Sequence, residues 1–192
     1  MSKQTSSDIG RFYHHYPRTA CVVTARSAAG NNAMAVAWHT SISFSPPLYG
    51  VSISPKRFTY KLIAESREFG VNFLPFALAE LVASVGGSKG EAGDKFEKFQ
   101  IGRDEPVKTG VPILEDAYAA YECRLVDDRS YGDHQLLVGE VVAVHVDPEA
   151  FNADGTLRLD RVCPVLYLGN ELYLSSRGET VQKMDRDVYG NR

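Results

Sequence analysis

The chain has 192 residues, of which 44% are apolar and 23% charged, which fits one globular domain and excludes a disordered or fibrous protein. Its 21 Lys and Arg residues against 24 Asp and Glu residues give a formal net charge of -3, and the cations are scattered, so we expect no nucleic-acid partner. Three widely separated cysteines predict neither a disulfide framework nor a zinc site and are typical of a reducing compartment.

Residues 1–10 are polar and lack the apolar core of a signal peptide. No apolar run is long enough to span a bilayer, so we expect a cytoplasmic protein that makes no membrane contact. The chain also shows no internal repeat, low-complexity tract or linker. We therefore expect residues 1–192 to form a single domain.

The first predicted elements are strands. Residues 20–25 are rich in β-branched side chains and lead into a polar turn. Residues 33–40 alternate strictly, with alanines on one face and bulkier side chains on the other, which predicts one strand. The small face allows either the close packing of another strand or a floor for a planar ligand. Residues 48–53 form the next predicted strand.

Helical patterns follow at two places. Residues 59–65 turn Leu62 and Ile63 inward, and Thr59 is the predicted N-cap. After a strand at 69–74, Pro75 opens a second helix that ends at Gly86-Gly87. The remaining predicted strands are 117–125, 135–146 and 163–168, with 171–175 as a hairpin partner.

The order of these elements decides the fold class. Strands outnumber helices and do not alternate with them regularly, and the chain contains no Gly-x-Gly-x-x-Gly motif. This pattern disfavours a doubly wound parallel sheet. It predicts a mainly β protein, a largely antiparallel barrel with a few short helices.

Polar side chains cluster in two segments. The Arg57 guanidinium, the Thr59 hydroxyl and the free N–H groups of a helix start would converge on one phosphate, although a solvated turn with a capping threonine explains the same residues equally well. Upstream, the hydroxyls of Thr40 and Ser41 precede two prolines and suit recognition of a polar ring edge. An ordinary strand-to-turn transition is the commoner explanation of that segment.

Several motifs occur in an order that resembles the flavin reductase-like, FMN-binding split-barrel family. They are Tyr16-Pro17, Asp94-Lys95-Phe96 and Gly132-Asp133-His134, with segments 22–24, 31–38, 43–47, 57–60 and 69–73. The similarity covers about residues 10–175. It implies an antiparallel split β-barrel and a homodimer with FMN near the subunit interface. It also implies electron transfer from NADH or NADPH to free flavin, ferric complexes or oxygen.

The resemblance also assigns site residues. It implies isoalloxazine contacts for Ala35, Thr40 and Ser41, phosphate and ribityl contacts for Ser54, Arg57 and Thr59, and further cofactor-side positions for Asn72, Lys95 and Phe96. His134 resembles a family histidine on the side where nicotinamide approaches, so we take it as the candidate catalytic residue. A surface histidine beside Asp133 is the alternative.

Other functions stay open. The same fold would suit a non-enzymatic FMN electron carrier, or a barrel that binds haem or a deazaflavin instead of FMN. Adjacent His14 and His15 lack a third ligand at suitable spacing, so we expect no metal site. Tyr167 and Tyr173 flank a turn and either reach a cofactor or simply pack in strands.

Overall fold

The structure is a computed structural model that describes residues 2–176, 178–182 and 184. In these ranges the strands are β1 (Arg18–Thr19), β2 (Cys21–Ser27), β3 (Gly30–Val36), β4 (His39–Phe44), β5 (Pro47–Ile53), β6 (Glu68–Phe73), β7 (Arg103–Asp104), β8 (Ile113–Leu114), β9 (Ala119–Tyr131), β10 (His134–Val146), β11 (Leu166–Gly169) and β12 (Leu172–Leu174). The α-helices are α1 (Phe58–Ser66), α2 (Ala79–Gly87) and α3 (Lys95–Lys98), with short 3₁₀ turns at Phe76–Leu78, Gly90–Ala92, Pro148–Ala150 and Gly178–Thr180. Among the described residues, no helix has the length and apolar character needed to cross a membrane.

Seven strands form one antiparallel sheet in the order β3-β2-β6-β9-β10-β5-β4. Its outermost strands, β3 and β4, are consecutive in the chain and are joined by Ala37-Trp38, so the sheet curls until its two edges approach each other. The described ladders include none between β3 and β4. This confirms the predicted mainly β class and the split barrel that the resemblance implied.

Large apolar side chains from opposite sides of the sheet fill the barrel. Phe69 on β6, Ile53 on β5 and Leu137 on β10 are fully buried in one cluster. Leu62 and Ile63 belong to the same cluster, so α1 lies with its predicted inner face against the core. Burying side chains of this size contributes about 1.5–3 kcal/mol each. A second cluster packs α2 against β2 and β3.

Residues 33–40, predicted as one strand, belong to two. β3 ends at Val36 and β4 begins at His39, because the chain has to pass from one edge of the sheet to the other between them. Trp38 in this link is 37% exposed, and its Nε1 donates a hydrogen bond to Tyr16 Oη at 2.8 Å. The prediction of one continuous strand is therefore wrong at Ala37-Trp38.

The sequence predicts Thr59 as the N-cap of α1, but this prediction is wrong. The N-cap is Arg57. Arg57 has the extended backbone angles of a cap, φ -82° and ψ 139°. Thr59 lies in the first helical turn and is 1% exposed. Its Oγ1 accepts a hydrogen bond from Asn32 Nδ2 at 2.8 Å, so the hydroxyl joins the helix to β3.

Glu122 on β9 is a fully buried acid. Its carboxylate accepts hydrogen bonds from the N–H groups of Val107, Lys108 and Thr109 at 2.6, 2.8 and 2.7 Å. The Thr109 hydroxyl donates another bond, and His145 Nε2 lies 2.7 Å from Oε1. Burial alone would raise the pKa of Glu122, but these bonds, led by that from Val107, lower it to about 2. Glu122 thus anchors the loop that contains residues 107–109 to strand β9.

Candidate functional site

Two adjoining cavities form one groove beside β3. The first, of about 520 Å³, is lined by four cationic side chains of the described residues: Lys56, Arg57, Lys89 and Lys95. The second, of about 450 Å³, is lined by Tyr167, Tyr173 and mostly small residues. Three residues line both: Ala35, Gly86 and Gly87. The cation-lined cavity and the tyrosine-lined cavity are therefore continuous.

The floor of the groove is the edge of β3 that no described strand pairs with. A two-residue loop joins β2 to β3, and Ser27 faces Gly30 across it. Because hydrogen-bonded and non-hydrogen-bonded pairs alternate along an antiparallel ladder, the backbone N–H and C=O groups of Ala33 and Ala35 point away from β2. The Ala33 carbonyl accordingly accepts a hydrogen bond from Lys95 Nζ at 2.9 Å. The backbone groups of Ala35 face the groove.

The cation-lined cavity is arranged for an anion. The Arg57 side chain makes no capping bond, and the first turn of α1 contains no acidic residue. The free N–H groups and partial positive charge of this helix N-terminus therefore add to the positive potential of the cavity. The Glu91 carboxylate also lines the cavity, but Lys61 Nζ pairs with it at 2.6 Å.

Two polar atoms of the cation-lined cavity have no hydrogen-bond partner among the described residues. They are Asn32 Oδ1 and Ser88 Oγ, and both atoms are buried. A buried polar atom left unpaired costs roughly 1–3 kcal/mol, which a ligand carrying suitable polar groups would recover. Cations, free helix N–H groups and unpaired polar atoms together fit the phosphate and the ribityl chain of FMN.

Lys95 joins three elements around the groove. The residue is 3% exposed, and its Nζ donates to the carbonyl oxygens of Ala33 on β3 at 2.9 Å and Val85 on α2 at 2.6 Å. Burial lowers the pKa of Lys95 to about 8, and the positive charges of Arg57 and Lys98 act in the same direction. The ammonium group holds the end of α2 against β3 and so sets the width of the groove.

The tyrosine-lined cavity is lined mainly by small side chains and by two phenol groups. The rings of Tyr167 on β11 and Tyr173 on β12 have centroids 5.1 Å apart. Tyr167 Oη accepts a hydrogen bond from the Glu171 N–H at 3.2 Å. Burial raises the pKa of Tyr173, as do Tyr167 and Glu171, so this phenol keeps its proton at neutral pH. The small side chains in the lining include those of Ala20, Ala37 and Ala83.

His134, the candidate catalytic residue, begins β10 and lines neither cavity. Its Nδ1 lies 2.8 Å from Asp133 Oδ1, and its ring centroid lies 4.8 Å from that of Trp38. At the start of β10, His134 thus packs against Trp38 in the link between β3 and β4. Its placement on the nicotinamide side stays a prediction.

The structure brings four of the predicted cofactor residues together in the cation-lined cavity: Ala35, Arg57, Thr59 and Lys95. Thr40 and Ser41 are exposed on β4, and Ser54 precedes α1. These three residues line neither cavity. Their assignment to the cofactor stays a prediction.

Asn72 and Phe96, also predicted to contact the cofactor, are buried away from the groove. Asn72 is 0% exposed, and its Nδ2 donates to the Val22 carbonyl and to Thr24 Oγ1 while its Oδ1 accepts from the Leu114 N–H. Phe96 is 2% exposed and packs in the cluster between α2, β2 and β3. Both side chains lie in the core and line neither cavity, so their assignment to the cofactor stays a prediction.

Sequence patterns do not single out Asn32, Ser88 or Lys89, which line the cation-lined cavity. Asn32 follows residues that favour a turn, but the turn closes earlier and leaves Asn32 inside β3. Ser88 and Lys89 follow the glycine pair that ends α2. One sequence signal could locate Asn32 in the strand, namely the two-residue hairpin loop between β2 and β3. The length of this loop fixes which residues of β3 pair with which residues of β2.

Comparison with known proteins gives the family. The model for the flavin reductase like domain matches residues 13–173. An uncharacterized protein of Aeropyrum pernix is 35% identical over 179 residues, covering 85% of this chain and 65% of its own, so the chain spans less than two thirds of that relative. The FMN reductase (NADH) RutF of Agrobacterium fabrum is 29% identical over 126 residues, covering 66% of this chain and 70% of its own.

Among solved structures, the FMN-binding protein of Thermus thermophilus with bound 1-cyclohex-2-enone is 38% identical and superposes with a TM-score of 0.84. The match covers 95% of this chain and 99% of that protein. The family model and the similarity to this structure agree with the barrel fold described above. The chain therefore belongs to the family of flavin reductase-like domains.

Proposed function

We propose that the protein binds FMN in the groove and acts as an oxidoreductase. The observation that carries this proposal is the continuity of the cation-lined cavity with a small-walled cavity over the unpaired edge of β3. A phosphate suits the first cavity, and a flat ring suits the surface of Ala35, Gly86 and Gly87. The similar Thermus thermophilus protein, which is named for FMN binding, supports this choice of ligand.

Arg57 and the start of α1 would hold the phosphate. The planar guanidinium offers parallel N–H donors to two phosphate oxygens. The first N–H groups of the helix supply further donors. Because Glu91 is already paired with Lys61, its charge does not cancel that of Arg57.

When bound, FMN supplies a ring system that accepts a hydride and passes electrons on. The chain itself orients that ring and stabilises charge on it. The Ala35 backbone N–H is a fixed donor beside the groove, and fixed donors stabilise developing negative charge without reorganisation. Gly86 keeps the passage between the cavities open, because a Cβ there would lie 3.1 Å from Ala35 Cβ.

We further propose that NADH or NADPH donates electrons, and that free flavin, a ferric complex or oxygen accepts them. The similar Agrobacterium fabrum protein, named as an NADH-using FMN reductase, supports this reaction. In this proposal His134 orients the nicotinamide and donates a hydrogen bond to it. Hydride transfer itself needs no proton from the histidine.

A non-enzymatic FMN electron carrier is the second candidate function. One observation favours it: His134 packs against Trp38 and lines neither cavity. The groove of one chain therefore lacks the side chain that the resemblance places beside the nicotinamide. A carrier would bind FMN but would not oxidise NADH or NADPH.

Anaerobic titration of the FMN-loaded protein tests the proposal. We expect NADH or NADPH to bleach the absorption bands of oxidised flavin within seconds to minutes at equimolar concentration. Dithionite is the control, because it reduces any accessible bound flavin. Bleaching by dithionite but by neither nucleotide would favour the carrier, and failure of the protein to bind FMN would overturn the cofactor assignment.

We also propose that the chain forms a homodimer through the face that includes β4. Phe44 and Ile42 at this outermost strand are 98% and 47% exposed, which is unusual for large apolar side chains. Light scattering should give twice the 21.2 kDa mass of one chain. Phe44→Glu should yield single chains, whereas Ile9→Glu at another exposed position should not; a wild-type mass of one chain at micromolar concentration would contradict the proposal.

We propose a cytoplasmic location for the protein. Cys21, Cys123 and Cys163 are free thiols, which a reducing compartment preserves. Burial raises the pKa of Cys123 to about 12, so this thiol is not reactive at neutral pH.

A further inference from the structure

The Asn32 side chain has a hydrogen-bond acceptor, Oδ1, that no donor of the described residues satisfies. Asn32 is 2% exposed, and its Nδ2 donates to Thr59 Oγ1 at 2.8 Å. Its Oδ1 has no partner among the described residues, and Asn32 lines the cation-lined cavity. An amide oxygen in this position needs a donor from a ligand.

The backbone of Gly90 holds the Asn32 amide in place. A Cβ on Gly90 would lie 2.7 Å from Asn32 Nδ2 and 2.9 Å from Phe58 Cβ, so the chain passes directly behind the amide. With Gly90 on one side and Thr59 on the other, the amide has little freedom to turn away. The position of Oδ1 is therefore fixed before any ligand arrives.

Asn32 and Ala35 belong to the same strand, and both line the cation-lined cavity together with Arg57. Thr59, the partner of Asn32, is in the first turn of α1, beside the cationic Arg57. Ala35 lies three residues further along β3, which corresponds to about 10 Å of strand. A ligand with its phosphate at Arg57 and its ring at Ala35 therefore has its connecting chain beside Asn32.

The chemistry of the amide oxygen decides which part of such a ligand it contacts. Phosphate oxygens are acceptors and cannot satisfy another acceptor, whereas a hydroxyl group donates. Ser88 Oγ, the other unpaired polar atom of this cavity, can pair with the same kind of group. The middle of the groove thus favours a chain that carries hydroxyl groups.

We infer that Asn32 is a specificity-determining residue, whose Oδ1 accepts a hydrogen bond from a hydroxyl group of the polyol chain that joins the phosphate to the ring. This inference rests on the proposed binding of FMN. It separates two sources of affinity along the groove: Arg57 recognises the phosphate, and Asn32 recognises the polyol.

Three flavins that differ only in the side chain on the ring test the inference: FMN, riboflavin without phosphate, and lumiflavin without phosphate or polyol. We expect Asn32→Leu to weaken riboflavin binding about five- to tenfold and to leave lumiflavin binding within about twofold of wild type. Asn32→Asp keeps an acceptor oxygen and should bind riboflavin within about twofold of wild type. Arg26→Leu, at an exposed position of β2 outside both cavities, is the control and should bind all three flavins normally.

Each other outcome overturns the inference. Unchanged riboflavin binding by Asn32→Leu would show that Asn32 does not contact the polyol. Equal losses for riboflavin and lumiflavin would show a reshaped groove, and an equal loss in Asn32→Asp would show that the amide donates instead of accepting. If the wild-type protein binds none of the three flavins, the proposed function itself fails; normal wild-type binding with an unaffected Asn32→Leu refutes this inference alone.

Discussion

Arg57→Ala is expected to weaken FMN binding by about 1.5–3 kcal/mol, or roughly 10- to 150-fold in the dissociation constant. Among the described residues, Arg57 supplies the one guanidinium that lines the cation-lined cavity, and the variant loses its charge-assisted hydrogen bonds to the phosphate. Fluorescence titration of free flavin with protein measures the effect directly, since bound and free flavin differ in emission.

Two comparisons show whether the loss is due to the phosphate. Riboflavin has no phosphate, so Arg57→Ala should bind it as wild type does. Arg26→Ala removes an exposed cation from β2 away from the groove and should leave FMN binding unchanged. FMN binding to wild type should also weaken with rising salt more steeply than binding to the variant. Unaltered FMN affinity in Arg57→Ala would place the phosphate elsewhere.

Glu122→Gln should lower the free energy of unfolding by about 3 kcal/mol at neutral pH, because it removes the charge that a fully buried set of donors surrounds. The neutral amide also turns an NH₂ group toward those donors. Chemical denaturation of wild type and variant measures the difference. Glu68→Gln is the matched control: Glu68 accepts one bond from the next residue of the loop, Gly110, and its side chain is 26% exposed.

The effect of Glu122 should depend on pH in a defined direction. Its pKa is lowered from 4.5 to about 2 in the folded protein, so at acidic pH the unfolded chain binds the proton more readily. The stabilisation is complete above about pH 5 and is lost as the pH falls towards 2. The difference between wild type and Glu122→Gln should narrow over this range. A difference that is constant with pH, or one matched by Glu68→Gln, would contradict the assigned role of the charge.

Local sequence patterns are sufficient to predict most of the barrel. The predicted strands at 48–53 and 135–146 correspond to Pro47–Ile53 and His134–Val146, because a strand with one buried face alternates along its length. The break at Ala37-Trp38 has no such signal. It follows from the position of β3 and β4 at opposite edges of the sheet, which is a property of the whole topology.

The groove is harder to predict from the sequence than the strands are, because its polar contacts join residues that are far apart in the sequence. An asparagine in a strand looks the same whether it faces a ligand or the core. Asn72 is satisfied by Val22 and Leu114, which lie 50 and 42 residues away, whereas Asn32 pairs with Thr59 27 residues away and keeps one atom unpaired. Only the assembled fold separates these two asparagines.

The open edge of β3 also bears on how the molecule behaves at high concentration. A strand edge with free backbone groups is a template for another chain to add to the sheet, and a charged lysine on that edge is one of the devices that prevent it. Lys95 has this position, because its Nζ already occupies the Ala33 carbonyl. Lys95 is 3% exposed, and its second bond, to the Val85 carbonyl, holds the end of α2 beside the same edge. The lysine that shapes the groove thus also covers part of the β3 edge, where another strand would otherwise pair.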